Sequence, residues 1–135
     1  YQLCQWEATD KVLRTDFNED NQKIDAALAT IPKIVAGSYT GDGAATRIIS
    51  LGFTPKLLFL SDMLGVTASI EPTYTHYFGG LVTSEMPCTV NGITFLSIVE
   101  GGFKIICQLD DSGNSHTTSY TGNNYGATYR YWAVG

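Results

Sequence analysis

After Pro32 every apolar run in this chain is cut within a few residues by Gly, Pro, Asn or Asp. That spacing constrains the fold more than any other feature. Runs such as Thr73 to Phe78, Phe95 to Glu100, Phe103 to Leu109 and Ala127 to Val134 are rich in β-branched and aromatic residues. They are too short for helices and too regularly interrupted for a loop. About eight short strands with turn residues between them indicate an antiparallel sandwich or barrel, and the missing helical crossovers exclude a parallel sheet. We read a mainly β chain: an antiparallel, jelly-roll-like β-sandwich over residues 33–135, preceded by an amino-terminal amphipathic helix within residues 1–32.

The strands are organised around Gly37 to Lys56. Ile34 to Thr40 and Thr46 to Leu51 read as the two arms of a β-hairpin, with Gly41-Asp42-Gly43 supplying the positive backbone dihedrals of a tight reversal. Gly52 ends the second arm, Phe53 turns inward, and Pro55 holds Thr54 extended. The four apolar residues Leu57 to Leu60 then read as a strand covered on both faces. Val66 to Ile70 is a short edge element that Pro72 breaks, and Leu81 to Ser84 is another that ends at Pro87. Asn91-Gly92 carries the strongest hairpin signal, because the pair satisfies the two positive dihedrals of a type I′ turn. Gly101-Gly102 fits a turn or a bulge. Asp110 to Ser115 is a polar turn, and His116 to Thr121 is the strand after it. Ser38-Tyr-Thr-Gly41 recurs as Ser119-Tyr-Thr-Gly122, too short an identity to indicate duplication.

Before Pro32 the pattern differs. Tyr1 to Trp6 is an extended lead-in, and a helix is predicted from Thr15 to Thr30, with Thr15 or Asp16 capping its first amides and Pro32 stopping it. Leu13, Phe17, Ile24, Ala27, Leu28 and Ile31 form a stripe if Asp20 occupies one seam position. This stripe serves either a short coiled coil or the chain's own β-domain, and two heptads alone make a weak coiled coil.

Composition limits function. The net charge of -5 and the lack of Lys and Arg clusters argue against a nucleic-acid partner. No window approaches the roughly 18 apolar residues of a membrane span, and no basic segment followed by an apolar run marks a signal peptide. Exit from a cell by lysis or inside a larger particle is the corresponding expectation. Charged residues make up only 16% of the chain, whereas Gly, Thr, Ser and Tyr are frequent, as in extracellular and virion β-proteins. Cys4, Cys88 and Cys107 have no paired spacing, and we read all three as reduced, with Cys107 a small buried hydrophobe.

Enzymatic chemistry finds little support. A glycosidase needs two carboxylates across a cleft, and Asp42, Asp62, Glu71, Glu85, Glu100, Asp110 and Asp111 fall mostly in turn-like stretches that suit a solvated surface. There is no nucleophile elbow, and neither His76 nor His116 has a partner at metal-ligand spacing. No cofactor or metal is expected. A binding surface is better supported. Tyr74, His76 and Phe78 alternate with Thr73, Thr75 and Tyr77, and neutral aromatic faces suit sugar rings. Phe78 reads as core, while Tyr74, His76 and Tyr77 keep polar ends in water. A second candidate is the Asn123-Asn124-Tyr125 loop, read as lying near Arg130 and Trp132. The competing reading of both groups is burial, in the core or between subunits.

Two segments together resemble a known family. Gln5 to Asp10, Asp16-Phe17-Asn18 and Lys23 to Leu28 resemble the amino-terminal segment of tail-fibre and other tail-associated proteins of phages and prophages of Firmicutes. Gly37 to Gly43, Ile48 to Pro55 and Tyr129 to Ala133 resemble the β-domain that often follows it. The resemblance covers about half the chain and leaves Met63 to Pro87 unmatched. It implies a homotrimeric, virion-attached protein that joins other tail proteins through its amino-terminal segment and adheres to a bacterial surface glycan or other receptor without breaking a bond. A purely structural tail, baseplate or fibre subunit and a polysaccharide depolymerase fragment are the alternatives.

Overall fold

The computed structural model describes residues 2–11, 13–110 and 117–135, and among them the chain forms one helix and eleven strands. It divides into two compact units, Tyr1–Pro32 and Lys33–Gly135. No helix among the described residues is long and apolar enough to cross a membrane.

In the first unit, α1 spans Arg14–Ala29. It starts a residue earlier than expected, with Leu13 at the cap position and no side-chain cap, because Phe17 N–H donates to the Leu13 carbonyl (3.2 Å) and draws Thr15 and Asp16 into the first turn. Asp16 there still faces the positive end of the helix dipole. Asp20 is not an idle seam residue. Its carboxylate accepts the Cys4 amide (2.9 Å) and pairs with Lys23 (3.2 Å), while the Lys23 ammonium also donates to the Gln2 carbonyl (3.1 Å), so the lead-in is held to the helix. No residue of α1 is buried, and Leu13, Phe17, Ile24, Leu28 and Ile31 are all exposed.

The second unit is built from two sheets. One orders β1 (Ile34–Thr40), β11 (Thr128–Val134), β3 (Leu57–Asp62) and β6 (Gly80–Thr83), antiparallel throughout. The other runs β4 (Ala68–Ile70), β5 (Tyr74–Tyr77), β10 (Thr117–Thr121), β9 (Gly102–Asp110), β8 (Ile93–Val99) and β7 (Cys88–Val90), with β2 (Thr46–Ser50) also paired to β9. On β1, β2, β11 and most of β3, alternate residues point inward. Tyr39, Leu58, Leu60, Val82, Tyr129 and Ala133 from the first sheet meet Ile49, Phe95, Leu96, Phe103, Ile105 and Tyr120 from the second in one core. Phe103 joins the layers, with its ring 6.1 Å from Tyr39 and 5.4 Å from Tyr131. Burial of each leucine, isoleucine, valine or phenylalanine in that core contributes about 1.5–3 kcal/mol.

Several expectations are corrected. β1 and β2 do not form a hairpin: β1 pairs with β11 and β2 with β9, in different sheets. Of Gly41-Asp42-Gly43 only Gly43 has a positive φ (+76°). The segment after β1 is instead bonded to the loop after β10, through Gly41 N–H to Ala127 O (2.7 Å), Gly43 N–H to Asn123 O (2.9 Å) and Gly126 N–H to Gly41 O (3.0 Å). A side chain on Gly41 would collide with the Asn124 carbonyl. Leu57 to Leu60 is not covered on both faces, since Leu58 and Leu60 are buried while Leu57 is exposed. Consecutive burial falls on Phe95 and Leu96 instead. Cys88 pairs with Leu96 but Thr89 with Thr94, so Phe95 is the extra residue of a bulge that sends both side chains into the core. The second sheet is mixed, because β5 and β10 are parallel, and the long connection they need is made by β6 to β9 rather than by a helix.

Asn91-Gly92 is the expected tight turn, with φ of +51° and +77° between paired Val90 and Ile93. Of the turn and the bulge expected at Gly101-Gly102, the structure has the turn: Glu100 and Gly101 make it, and Gly102 is already paired with Val99. The polar turn after Asp110 and the start of the next strand at His116 lie outside the described residues.

Asn123 fixes the corner between the sheets. Its side chain is fully buried and makes four hydrogen bonds: Nδ2 donates to Asp42 Oδ1 (2.7 Å) and Ala44 O (2.9 Å), and Oδ1 accepts from Asp42 N–H (3.3 Å) and Arg47 (3.4 Å). Hydrogen bonds from the Ala44 amide and Asn123, with Arg47 at 3.3 Å, hold the Asp42 carboxyl below the usual carboxylate range. Replacing Asn123 by Ala leaves these groups without their partner, and we expect a loss of roughly 2–4 kcal/mol in urea unfolding. A loss below about 0.5 kcal/mol, the range of an ordinary surface change, would remove Asn123 as the corner residue.

Candidate binding groove

Strand alternation on β5 places Tyr74 and His76 on one face, and Phe78 continues the line beyond the strand. Ring centroids lie 4.9 Å apart for Tyr74 and His76, and 6.4 Å for His76 and Phe78, the latter pair stacked at 15°. Tyr77 points the other way. It packs on Phe95 (5.4 Å) and Tyr120 (6.0 Å), so it belongs to the core and leaves the candidate site. Phe78, expected in the core alone, touches the core and also ends the aromatic line.

Two hollows, each about 350 Å³, lie along this line. The first is lined by His76, Cys107, Gln108, Tyr120, Thr121 and Asn124. The second is lined by residues that include Asp62, Leu64, Phe78, Asn124, Thr128 and Tyr129. Asn124 borders both, with His76 in one and Phe78 in the other. The corner sets its position: Asn124 N–H donates to the Tyr129 hydroxyl (3.1 Å), which itself donates to the Thr121 carbonyl. The Cys107 thiol donates to Asn124 Oδ1 (3.1 Å) and thereby orients the amide, whose Nδ2 has no partner among the described residues. Burial pushes the Cys107 thiol pKa up, which keeps the donating proton in place. Burial likewise raises the Tyr129 hydroxyl.

The groove therefore offers amides from Asn124 and Gln108, hydroxyls from Thr121 and Thr128, and aromatic faces. Asp62 is the one carboxylate among its described lining residues, and its Oδ1 already accepts the Leu64 (2.9 Å) and Val66 (2.8 Å) amides. Asp42 is engaged with Arg47 and Asn123, Glu71, Glu85 and Glu100 are exposed, and the Asp110 side chain, Asp111 and His116 lie outside the described residues. No group of three His, Cys, Asp or Glu suited to a metal occurs among the described residues. Cys4, Cys88 and Cys107 are all free thiols.

The second sequence candidate separates into three places. Asn123 is buried structure, Asn124 joins His76 in the groove, and Tyr125 stands beside it 87% exposed. Arg130 and Trp132 are not with them. Alternation on β11 turns Tyr129 toward Asn124 and sends Arg130 and Trp132 to the outer face of the four-stranded sheet, where Trp132 lies 5.8 Å from Phe59. Gln108, Thr121 and Thr128 were not anticipated, and Cys107 is a half-buried groove residue rather than a core hydrophobe. These residues meet only through the parallel pairing of β5 with β10 and the corner bonded through Asn123, for which the sequence carries no local signal.

No family model, curated protein or solved structure matches the chain.

The two tyrosines of β5 are expected to separate in stability. Tyr77→Ala should cost about 3 kcal/mol, as for a large aromatic lost from a core, whereas Tyr74→Ala should cost less than about 1 kcal/mol. Equal losses in thermal unfolding would contradict the assignment of faces.

Proposed function

We propose that this chain is a non-catalytic binding component of a phage tail fibre that adheres to a bacterial surface glycan through the groove around Asn124. The observation that carries the binding reading is the line Tyr74, His76 and Phe78, which runs from one hollow to the next across a shared amide. An elongated groove with spaced aromatic faces and neutral amides suits a linear polymer of sugar rings, which stack on the rings and hydrogen-bond to the amides. One partnered carboxylate suits holding such a polymer better than cleaving it. The virion setting rests on the resemblance of Gln5 to Leu28 and of Gly37 to Pro55 to tail-associated proteins. The exposed stripe Leu13, Phe17, Ile24, Leu28 and Ile31 supports a role for α1 in joining copies, with a homotrimer as the expected assembly.

The reading is tested by binding of the purified chain to wall polysaccharides from a panel of Gram-positive hosts, measured by calorimetry and by release of reducing ends. Binding without release is expected, with at least about tenfold weaker affinity for Tyr74→Ala and for Asn124→Ala, the loss of one stacking or hydrogen-bonding group. Trp132→Ala, remote from the groove, should bind as the parent does. Release of reducing ends would indicate a depolymerase, and absence of binding across the panel would favour a purely structural subunit.

A further inference from the structure

The hollow bordered by Asp62 and Asn124 presents two hydrogen-bonding atoms that have no partner among the described residues. Asn124 Oδ1 is occupied by the Cys107 thiol (3.1 Å), so the amide offers Nδ2, a donor only. Asp62 Oδ1 is occupied by the Leu64 (2.9 Å) and Val66 (2.8 Å) amides, so the carboxylate offers Oδ2, an acceptor only. Apolar surface lies beside both, from Leu64, Phe78 and Ala127. Leu64 is 87% exposed, yet its loop is fixed. Besides the two bonds to Asp62 Oδ1, Asp62 N–H donates to the Val66 carbonyl (3.0 Å) and Gly65 N–H to the Asp62 carbonyl (3.2 Å). A leucine held in water at the rim of a polar hollow is a surface for the apolar part of a ligand.

We propose, resting on the glycan-binding reading of the groove, that this hollow recognises the acetamido group of N-acetylated sugars in an uncharged stretch of glycan. An acetamido group has one carbonyl acceptor, one N–H donor and one methyl. Asn124 Nδ2 meets the carbonyl, Asp62 Oδ2 meets the N–H, and the surface of Leu64, Phe78 and Ala127 meets the methyl. The carbonyl and N–H of a trans amide point in opposite directions, and the two protein groups come from separate elements, Asp62 from the end of β3 and Asn124 from the corner loop. A plain hydroxyl at the same ring position has a single oxygen to serve both groups and no methyl. The Asp62 carboxylate then loses water without gaining a partner, which is how a polar site rejects an analogue that lacks its matching group. Charge disfavours a phosphate-linked polymer. The cations of the β-unit, Lys33, Arg47, Lys56, Lys104 and Arg130, are absent from both hollows, and Asp62 repels an anion.

The test is saturation-transfer NMR on the full chain, with N-acetylglucosamine, N-acetylgalactosamine and N-acetylmannosamine set against glucose, galactose and mannose, and with glycerol phosphate as the anion. At least one N-acetylated sugar should take up saturation about fivefold more strongly than its parent, the effect of one hydrogen bond, and most of all at the acetyl methyl. Glycerol phosphate should take up none. Asp62→Asn keeps an oxygen for the Leu64 and Val66 amides but turns the free acceptor into a donor, and it should cut the methyl signal about fivefold, as should Asn124→Ala. Equal saturation of N-acetylated and parent sugars, saturation of glycerol phosphate, or an unchanged methyl signal in Asp62→Asn overturns the proposal. Stripped sacculi and released neutral polysaccharide, assayed separately, distinguish the two carriers of such sugars, and binding to either that N-acetylated sugars displace supports the class. Wall polysaccharide bound through Asn124 with no preference for N-acetylated sugars overturns the acetamido assignment and leaves the groove a glycan site. No saturation of any sugar together with no bound polysaccharide overturns both.

Discussion

The β-unit depends on one buried amide. Asn123 binds the backbone and side chains of the segment that leaves β1, and its own loop is clamped by two tyrosine hydroxyls. Tyr39 donates to the Gly122 carbonyl at 2.5 Å, and Tyr129 donates to that of Thr121. The two rings stack 5.2 Å apart beneath the corner, where burial raises the Tyr39 pKa far beyond its usual range. A buried amide with all its hydrogen bonds made fixes direction in a way apolar packing does not, since any other path for the chain leaves its groups unpaired. The chain that has just formed the edge of one sheet is thereby turned into the other. The repeated tetrapeptide falls at this point, with the tyrosine of the first copy bonded to the glycine of the second.

The same corner connects architecture to surface chemistry. Asn124 follows directly on Asn123 and is carried to the meeting point of two hollows, where Cys107 from β9 orients it and His76 and Phe78 flank it. On β11, Tyr129 completes the corner from inside, while its neighbours Arg130 and Trp132 belong to the outer face. Alternation along one strand thus separates a polar, aromatic groove from a flat apolar sheet.

Much of the local structure was legible in the sequence. Asn91-Gly92 encodes its turn because two positive dihedrals are needed within two residues. Pro32, Pro55, Pro72 and Pro87 mark breaks because proline lacks an N–H, and the alternation of Tyr129, Tyr131 and Ala133 gives the inner face of β11. What failed was inference across distance. Gly41-Asp42-Gly43 has the composition of a hairpin turn, yet Asp42 and Gly43 bond to a residue some eighty positions later, and tertiary hydrogen bonds override the local preference. Tyr77 looks like Tyr74 in composition, and only its place on the strand separates core from groove. The extra residue at Phe95 reverses the alternation within β8 for the same reason: a bulge is defined by the partner strand. The line Tyr74-His76-Phe78 was visible as a pattern, but its meeting with Asn124 depends on the parallel pairing of β5 with β10, which no neighbouring residue announces.

The central claim is that β1 crosses to pair with β11 instead of folding back on β2. Backbone NOE contacts from solution NMR of the full chain test it most directly. The account predicts cross-strand contacts between Ser38 and Arg130 and between Ala36 and Trp132, together with contacts between Ile48 and Lys104. Contacts between the residues of Ile34–Thr40 and those of Thr46–Ser50 in hairpin register would contradict it, and with it the corner that carries Asn124 into the groove.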